Sequence, residues 1–244
     1  MPPEQAPGGA AVAAATAEAL ADTRASPGAL ALPRAILFDW DNTLVDSWPS
    51  IHAALVVTFE RFGLAPWTFD ETQARVRHSL RDSFPRLFGD RWEEAGQFYL
   101  AEFRRIHLDA LRPHEGAHAL LHDLAERKIY LAVVSNKTGV TLRREASHLG
   151  WTPLFGRLVG AQDAARDKPA VDPVELALSG SGIARGPQVW FVGDTDIDML
   201  CATQSGCVPL LVRGHPPGSG EFDGSAPAWH GAGCEALCNL VRTL

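Results

Sequence analysis

At 244 residues, with 46% hydrophobic and 21% charged side chains, the chain has the composition of a folded protein large enough for one α/β domain, or for a core domain carrying a smaller insert. A net charge of −7 excludes the basic stripe that nucleic-acid binding needs and points to a small-molecule partner. No run approaches the roughly 18 apolar residues of a membrane span, so a cytoplasmic protein, monomer or homodimer, with neither membrane nor nucleic-acid partner is expected.

Residues 1–33 are dominated by Ala, Pro and Gly without a repeating apolar face, which predicts a disordered extension. The stretch begins Met1-Pro2-Pro3-Glu4 and is interrupted by Glu18 and Asp22, unlike the unbroken apolar core of an export signal. Ala35-Ile36-Leu37-Phe38 then forms a short apolar run ending abruptly in Asp39, the pattern of a buried parallel strand with a functional group at its carboxyl end. From Trp48 to Arg112 no strand is predicted. Helical patterns over 50–62, 70–80 and 91–111 make 48–112 an expected helical cap inserted into a core of residues 34–47 and 113–244.

After the cap, strands are predicted at 130–134, 158–160, 189–192 and 208–212, the last at an edge or a strand start because of Pro209. Helices at 116–127, 140–149, 172–178 and 197–204 alternate with them. The expected fold class is therefore α/β, a Rossmann-like parallel sheet with an inserted α-helical cap. In such a sheet ligands bind beyond the carboxyl ends of the strands, where Asp39, Ser135 and Asp194 fall. His114, His118 and His122 recur every fourth residue and read as a solvated helix face, and the four cysteines read as reduced packing residues.

Phosphate esters resist attack because their oxygens are anionic, so hydrolysis needs a placed nucleophile, an acid for the leaving group and concentrated positive charge. Asp39 is the candidate nucleophile, Asp41 the acid/base partner and Lys168 the fixed cation. Thr43, Ser135 and Asn136 are candidate phosphate binders. Two carboxylates so close call for a hard cation, Mg²⁺, with Asp39, Asp194 and the Asp41 backbone carbonyl as ligands and Asp198 behind them. In the cap, Arg77 and Arg81 are candidate clamps for an anionic substrate tail.

The segments Asp39-Trp40-Asp41-Asn42-Thr43-Leu44-Val45-Asp46-Ser47, Val134-Ser135-Asn136-Lys137, Lys168-Pro169 and Val192-Gly193-Asp194-Thr195-Asp196-Ile197-Asp198 together resemble the four ordered motifs of the haloacid dehalogenase-like hydrolase superfamily, over about Ala35 to Val212. The resemblance implies an inserted helical cap, magnesium and an aspartyl-phosphate intermediate. The cap position and the run Lys168-Pro169-Ala170-Val171-Asp172-Pro173 most resemble phosphoglycolate phosphatase-like members. Asn42 stands where Gly is usual, and Trp40 where an aliphatic residue is usual. The expected function is a magnesium-dependent phosphatase acting on a small phosphorylated metabolite, phosphoglycolate-like. The rivals are a phosphoglucomutase-like phosphotransferase, a haloacid dehalogenase, which would not need Asp41, and a non-catalytic binding protein of the same fold.

Overall fold

The computed structural model describes residues 30–244. The expected extension lies outside the described residues except for its last four. Of these, Leu30 packs against the core and Pro33 is buried, so the expected boundary at 33 falls inside packed structure.

A six-stranded parallel sheet forms the core, in the order β5 (Arg157–Ala161), β4 (Tyr130–Thr138), β1 (Ala35–Phe38), β6 (Val189–Gly193), β7 (Val208–Val212), β8 (Trp229–Gly231). β1 is central and buried on both faces, which is why it reads as an unbroken apolar run. Its alternating side chains feed two separate cores. Ile36 and Phe38 pack with Leu120, Leu121 and Val133, whereas Ala35 and Leu37 pack with Val134, Val159 and Phe191.

Helices α5 (Ala117–Glu126), α6 (Gly139–His148), α7 (Asp172–Leu178), α8 (Asp196–Gln204) and α9 (Cys234–Arg242) complete the core. Pro209 is the second residue of β7, and β7 is not an edge. β8 pairs only with Leu210, Leu211 and Val212, beyond the proline, so the sheet extends past β7 without needing the missing N–H.

Between the two-residue strands β2 (Val45–Asp46) and β3 (Arg112–Pro113), which pair antiparallel, lie four helices: α1 (Trp48–Arg61), α2 (Phe69–Arg75), α3 (Leu80–Phe88) and α4 (Trp92–Ala110). Ile51, Leu55, Phe59, Phe84 and Phe103 build their own apolar cluster. The helix expected over 70–80 instead ends at Arg75, and a separate α3 begins at Leu80 despite Pro85. The α2 start is fixed by a capping box: Glu71 N–H donates to Thr68 Oγ1 while Thr68 N–H donates to Glu71 Oε2.

Candidate active site

The strand register brings the predicted chemistry together. Phe38 lies opposite Val133 of β4 on one side and Val192 of β6 on the other, so Asp39 and Asp194 leave the sheet at neighbouring strand ends, and Ser135 lies beside them where the pairing of β4 with β5 becomes irregular. The chain turns at once after Asp39, with Asn42 at φ 63°, a left-handed angle that Asn tolerates where glycine is usual. At Gly193 a side chain is excluded because a Cβ would collide with Asp198.

Lys168 joins the two acidic segments. Its buried Nζ donates to Asp39 Oδ1 at 2.6 Å and to Asp198 Oδ1 at 2.7 Å. The other Asp198 oxygen accepts from the Asp194 and Thr195 N–H groups and from the Thr195 hydroxyl, locking the start of α8. Burial pushes the Asp39 carboxyl up to about 7; Lys168 opposes this, while Asp198 and Asp41 add to it. Asp194 is likewise held high by burial and by the charges of Asp198 and Asp39. Lys168 is desolvated too, but the two carboxylates more than offset this and hold it protonated.

Carboxylate oxygens of Asp39, Asp194 and Asp198 all lie within 4.8 Å of one another. Three clustered carboxylates, with Asp39 and Asp194 raised in proton affinity, and one balancing ammonium fit a hard divalent cation. Asp198, already bonded to Lys168 and to the α8 backbone, suits a supporting place behind the ligands. The Asp41 side chain points elsewhere, leaving only its carbonyl for that role.

Asp41 Oδ1 lies 2.7 Å from Lys137 Nζ. The approach is off hydrogen-bond alignment, so the contact is an ion pair, and this buried oxygen has no hydrogen-bond donor among the described residues. Lys137 also donates to both Glu145 oxygens, at 2.9 and 2.7 Å. Glu145 in turn pairs with His107 Nδ1 at 2.7 Å and accepts from Trp40 Nε1 at 2.7 Å. Burial raises the Glu145 carboxyl, but Lys137 and the hydrogen bonds from His107, Lys137 and Trp40 outweigh it and hold the group below its ordinary range. Burial likewise works against the Lys137 charge, and Asp41 and Glu145 restore it. Sequence reasoning missed Lys137, Glu145 and His107. The one available signal was Trp40, a buried indole N–H just past the end of β1 that required a partner.

The remaining predicted residues divide. Ser135 lines the cavity beside Asp39, and its Oγ accepts from Lys137 N–H at 3.2 Å. The Thr43 hydroxyl is 3.4 Å from Asp194 Oδ1 and faces a neighbouring cleft. The Asn136 side chain is engaged with the Lys168 backbone, accepting from its N–H at 3.1 Å and donating to its carbonyl at 3.3 Å, so it holds the lysine loop instead of offering its amide to a phosphate.

The arginine clamp also takes a different form. Arg81 makes a two-pronged pair with buried Asp167 of the core, at 2.5 and 2.6 Å, and does not line the cavity. Arg77 does line it, with its guanidinium 3.5 Å from Asp196. Both arginines tie the helical insert to the core. Arg81→Ala should therefore lower stability by about 1–3 kcal/mol, because it leaves buried Asp167 with only the Gln162 N–H as a donor among the described residues. It should leave the preference between anionic and neutral phosphate esters unchanged, as thermal melts and competitive kinetics would show.

The cavity holds about 160 Å³ between sheet and insert. Its floor carries Asp39, Asp41 and Lys168; its roof is apolar and aromatic, including Trp48, Leu55, Trp67, Phe84, Tyr99 and Phe103. The Tyr99 hydroxyl is held protonated by burial and by the charges of Asp41 and Glu145.

Known proteins resemble this chain in sequence and fold. The family model for haloacid dehalogenase-like hydrolases matches residues 36–212. A phosphoglycolate phosphatase of Rhodospirillum rubrum is 31% identical over 196 residues, covering 75% of this chain and 80% of the relative. A pyrophosphatase of Halalkalibacterium halodurans is 28% identical over 177 residues, covering 72% and 82%. The structure of a haloacid dehalogenase-like family hydrolase from Streptococcus pneumoniae superposes with a TM-score of 0.74 at 24% identity, over 85% of this chain and 97% of that one, a likeness of fold. With the family match spanning most of the chain and the acidic residues converging at its strand ends, the protein belongs to the haloacid dehalogenase-like hydrolases.

Proposed function

We propose that the protein is a magnesium-dependent phosphatase that hydrolyses a small phosphomonoester through an aspartyl-phosphate on Asp39. The observation that carries this reading is the single buried ammonium of Lys168 bridging Asp39 and Asp198, beside an Asp41 that has its own counter-charge. Asp39 Oδ attacks phosphorus as the bond to the leaving oxygen breaks, and Asp41 delivers a proton to that oxygen. Asp41 then takes a proton from water, whose oxygen attacks the same phosphorus and frees Asp39 and inorganic phosphate. Lys168 and the Ser135 hydroxyl offset charge on the phosphoryl oxygens, and Thr43 steadies Asp194. Mg²⁺, held by Asp39, Asp194 and the Asp41 carbonyl, supplies further neutralisation of the phosphoryl oxygens when bound. A dehalogenase would have no use for Asp41. Buried free thiols at all four cysteines suit a reducing, cytoplasmic setting.

Phosphoglycolate enters as a candidate through the named relatives. A second reading of the substrate is favoured by the roof of the cavity, whose apolar surface suits an aryl or alkyl leaving group better than a short carboxylate. Of the roof's arginines, Arg75 pairs with Glu71 and Arg77 lies against Asp196. Phosphate release should be measured with phosphoglycolate, pyrophosphate, glucose phosphates and a series of alkyl and aryl phosphates. The expected result is hydrolysis dependent on Mg²⁺, with kcat/KM for the apolar esters at least about tenfold above phosphoglycolate. A preference for phosphoglycolate would sink the second reading alone; absence of turnover on every ester would sink the first. Transfer of phosphate between sugar hydroxyls without release would mark a mutase.

A further inference from the structure

A buried charged cluster adjoins the phosphoryl-transfer residues without belonging to them. The side chains of Lys137, Glu145 and His107 are 6%, 0% and 1% exposed. Buried ion pairs are poor devices for stability, because apolar side chains of similar volume commonly do as well. What distinguishes this cluster is that it ends on the cavity, at Asp41.

We propose that Lys137 is a positioning residue for Asp41, held by Glu145, and that Trp40 and His107 fix Glu145, so that the seating of α4 and the aim of the acid/base carboxyl are linked. The inference rests on the phosphatase reading of Asp41. The Lys137 ammonium donates to the two Glu145 oxygens and is ion-paired with Asp41 Oδ1, and the Phe103 ring closes another side, its centroid 4.9 Å from Nζ. Asp41 Oδ1 has no hydrogen-bond partner among the described residues, which leaves this ion pair as its counter-charge. Without Lys137 the carboxyl is free to turn away from the leaving oxygen.

Each Glu145 oxygen has two partners, one from Lys137 and one from outside it: His107 for Oε1, Trp40 for Oε2. This assigns a purpose to Trp40, which stands between Asp39 and Asp41 where the family resemblance has an aliphatic residue. His107 comes from the last turns of α4 in the helical insert, and its Nε2 is buried with no partner among the described residues. A buried imidazole bonded through one nitrogen takes its orientation from that bond, here to Glu145.

Leaving-group chemistry separates positioning from general structural damage. A p-nitrophenolate leaves without a proton, whereas an alkoxide needs one, so only the alkyl ester depends on well-aimed acid catalysis. For Lys137→Met, kcat/KM on a simple alkyl phosphate should fall about 100-fold and on p-nitrophenyl phosphate by less than about fivefold, the pattern also expected of Asp41→Asn. The double variant Lys137→Met/Glu145→Gln avoids an unpaired buried carboxylate, because Gln can accept from Trp40 and donate to His107. It should show the same selective loss with a melting temperature near that of the wild type. Trp40→Phe should show a weaker form of it.

An equal loss on both esters in the double variant, or an unchanged ratio, overturns the assignment. A wild-type protein silent on these two and on every other ester of the panel overturns the phosphatase reading and this inference with it. An active wild type with an even loss overturns only the inference.

Discussion

Asp39→Asn should lower phosphatase turnover by at least about 10⁴-fold while circular dichroism and the melting profile stay close to those of the wild type. The amide keeps the shape of the carboxylate but has no lone pair able to form a stable acyl phosphate. The structure predicts little damage to the fold. Asp39 is 6% exposed and its carboxyl is pushed up to about 7, so the ionised side chain is not a strong source of stability in the metal-free protein. Lys168 keeps its second partner, Asp198, at 2.7 Å, and is not left as an unpaired buried cation. Turnover within tenfold of the wild type would remove Asp39 as nucleophile, and with it the covalent intermediate.

The parts of this site that were legible in the sequence are those carried by local pattern. Ala35 to Phe38 could be read as a central strand because both faces are buried, and such a strand has no polar alternation to confuse it. Asp39, Ser135 and Asp194 followed from where apolar runs end. Lys168 followed from the need for a fixed cation and from its place in the motif order, since nothing local marks a lysine before a proline as buried. The illegible parts are pairings across the chain. Glu145 looks like a surface residue of α6 until Trp40, 105 positions away, and His107, 38 positions away, are placed against it.

Arg81 looked free to bind substrate for the same reason, its partner Asp167 lying 86 positions on. In each case a charged side chain on a helix has two local readings, solvated or site-lining, and tertiary pairing supplies a third that a single sequence does not encode. The division of α2 from α3 was missed because Val76 to Ser79 keeps helical composition. Val76 leaves the helix in an extended conformation, and its side chain and that of Arg77 turn toward the cavity. The insert thus interrupts its helix where it lines the site.

Removal of divalent metal should abolish turnover, and the loss should have a signature that does not depend on activity. Asp39 and Asp194 are raised by burial and by neighbouring carboxylates, so the metal-free folded protein binds protons at these positions more tightly than the unfolded chain does. Stability contributed by a raised carboxyl is present below its unfolded value of 3.8 and is lost as pH rises toward about 7, the value reached by Asp39. Mg²⁺ competes with those protons and relieves the repulsion that appears when they leave. The rise in melting temperature on adding Mg²⁺ to EDTA-treated protein should therefore be small near pH 5.5 and larger near pH 8. Saturation at a hundred times the dissociation constant would correspond to about 2.7 kcal/mol. Asp194→Asn should weaken this response and raise the Mg²⁺ concentration needed for activity, whereas Arg81→Ala, whose guanidinium pairs with Asp167 and does not line the cavity, should not. A metal-induced shift that is absent, or that shrinks as pH rises, would place the cation elsewhere and leave the carboxylate cluster balanced by Lys168 alone.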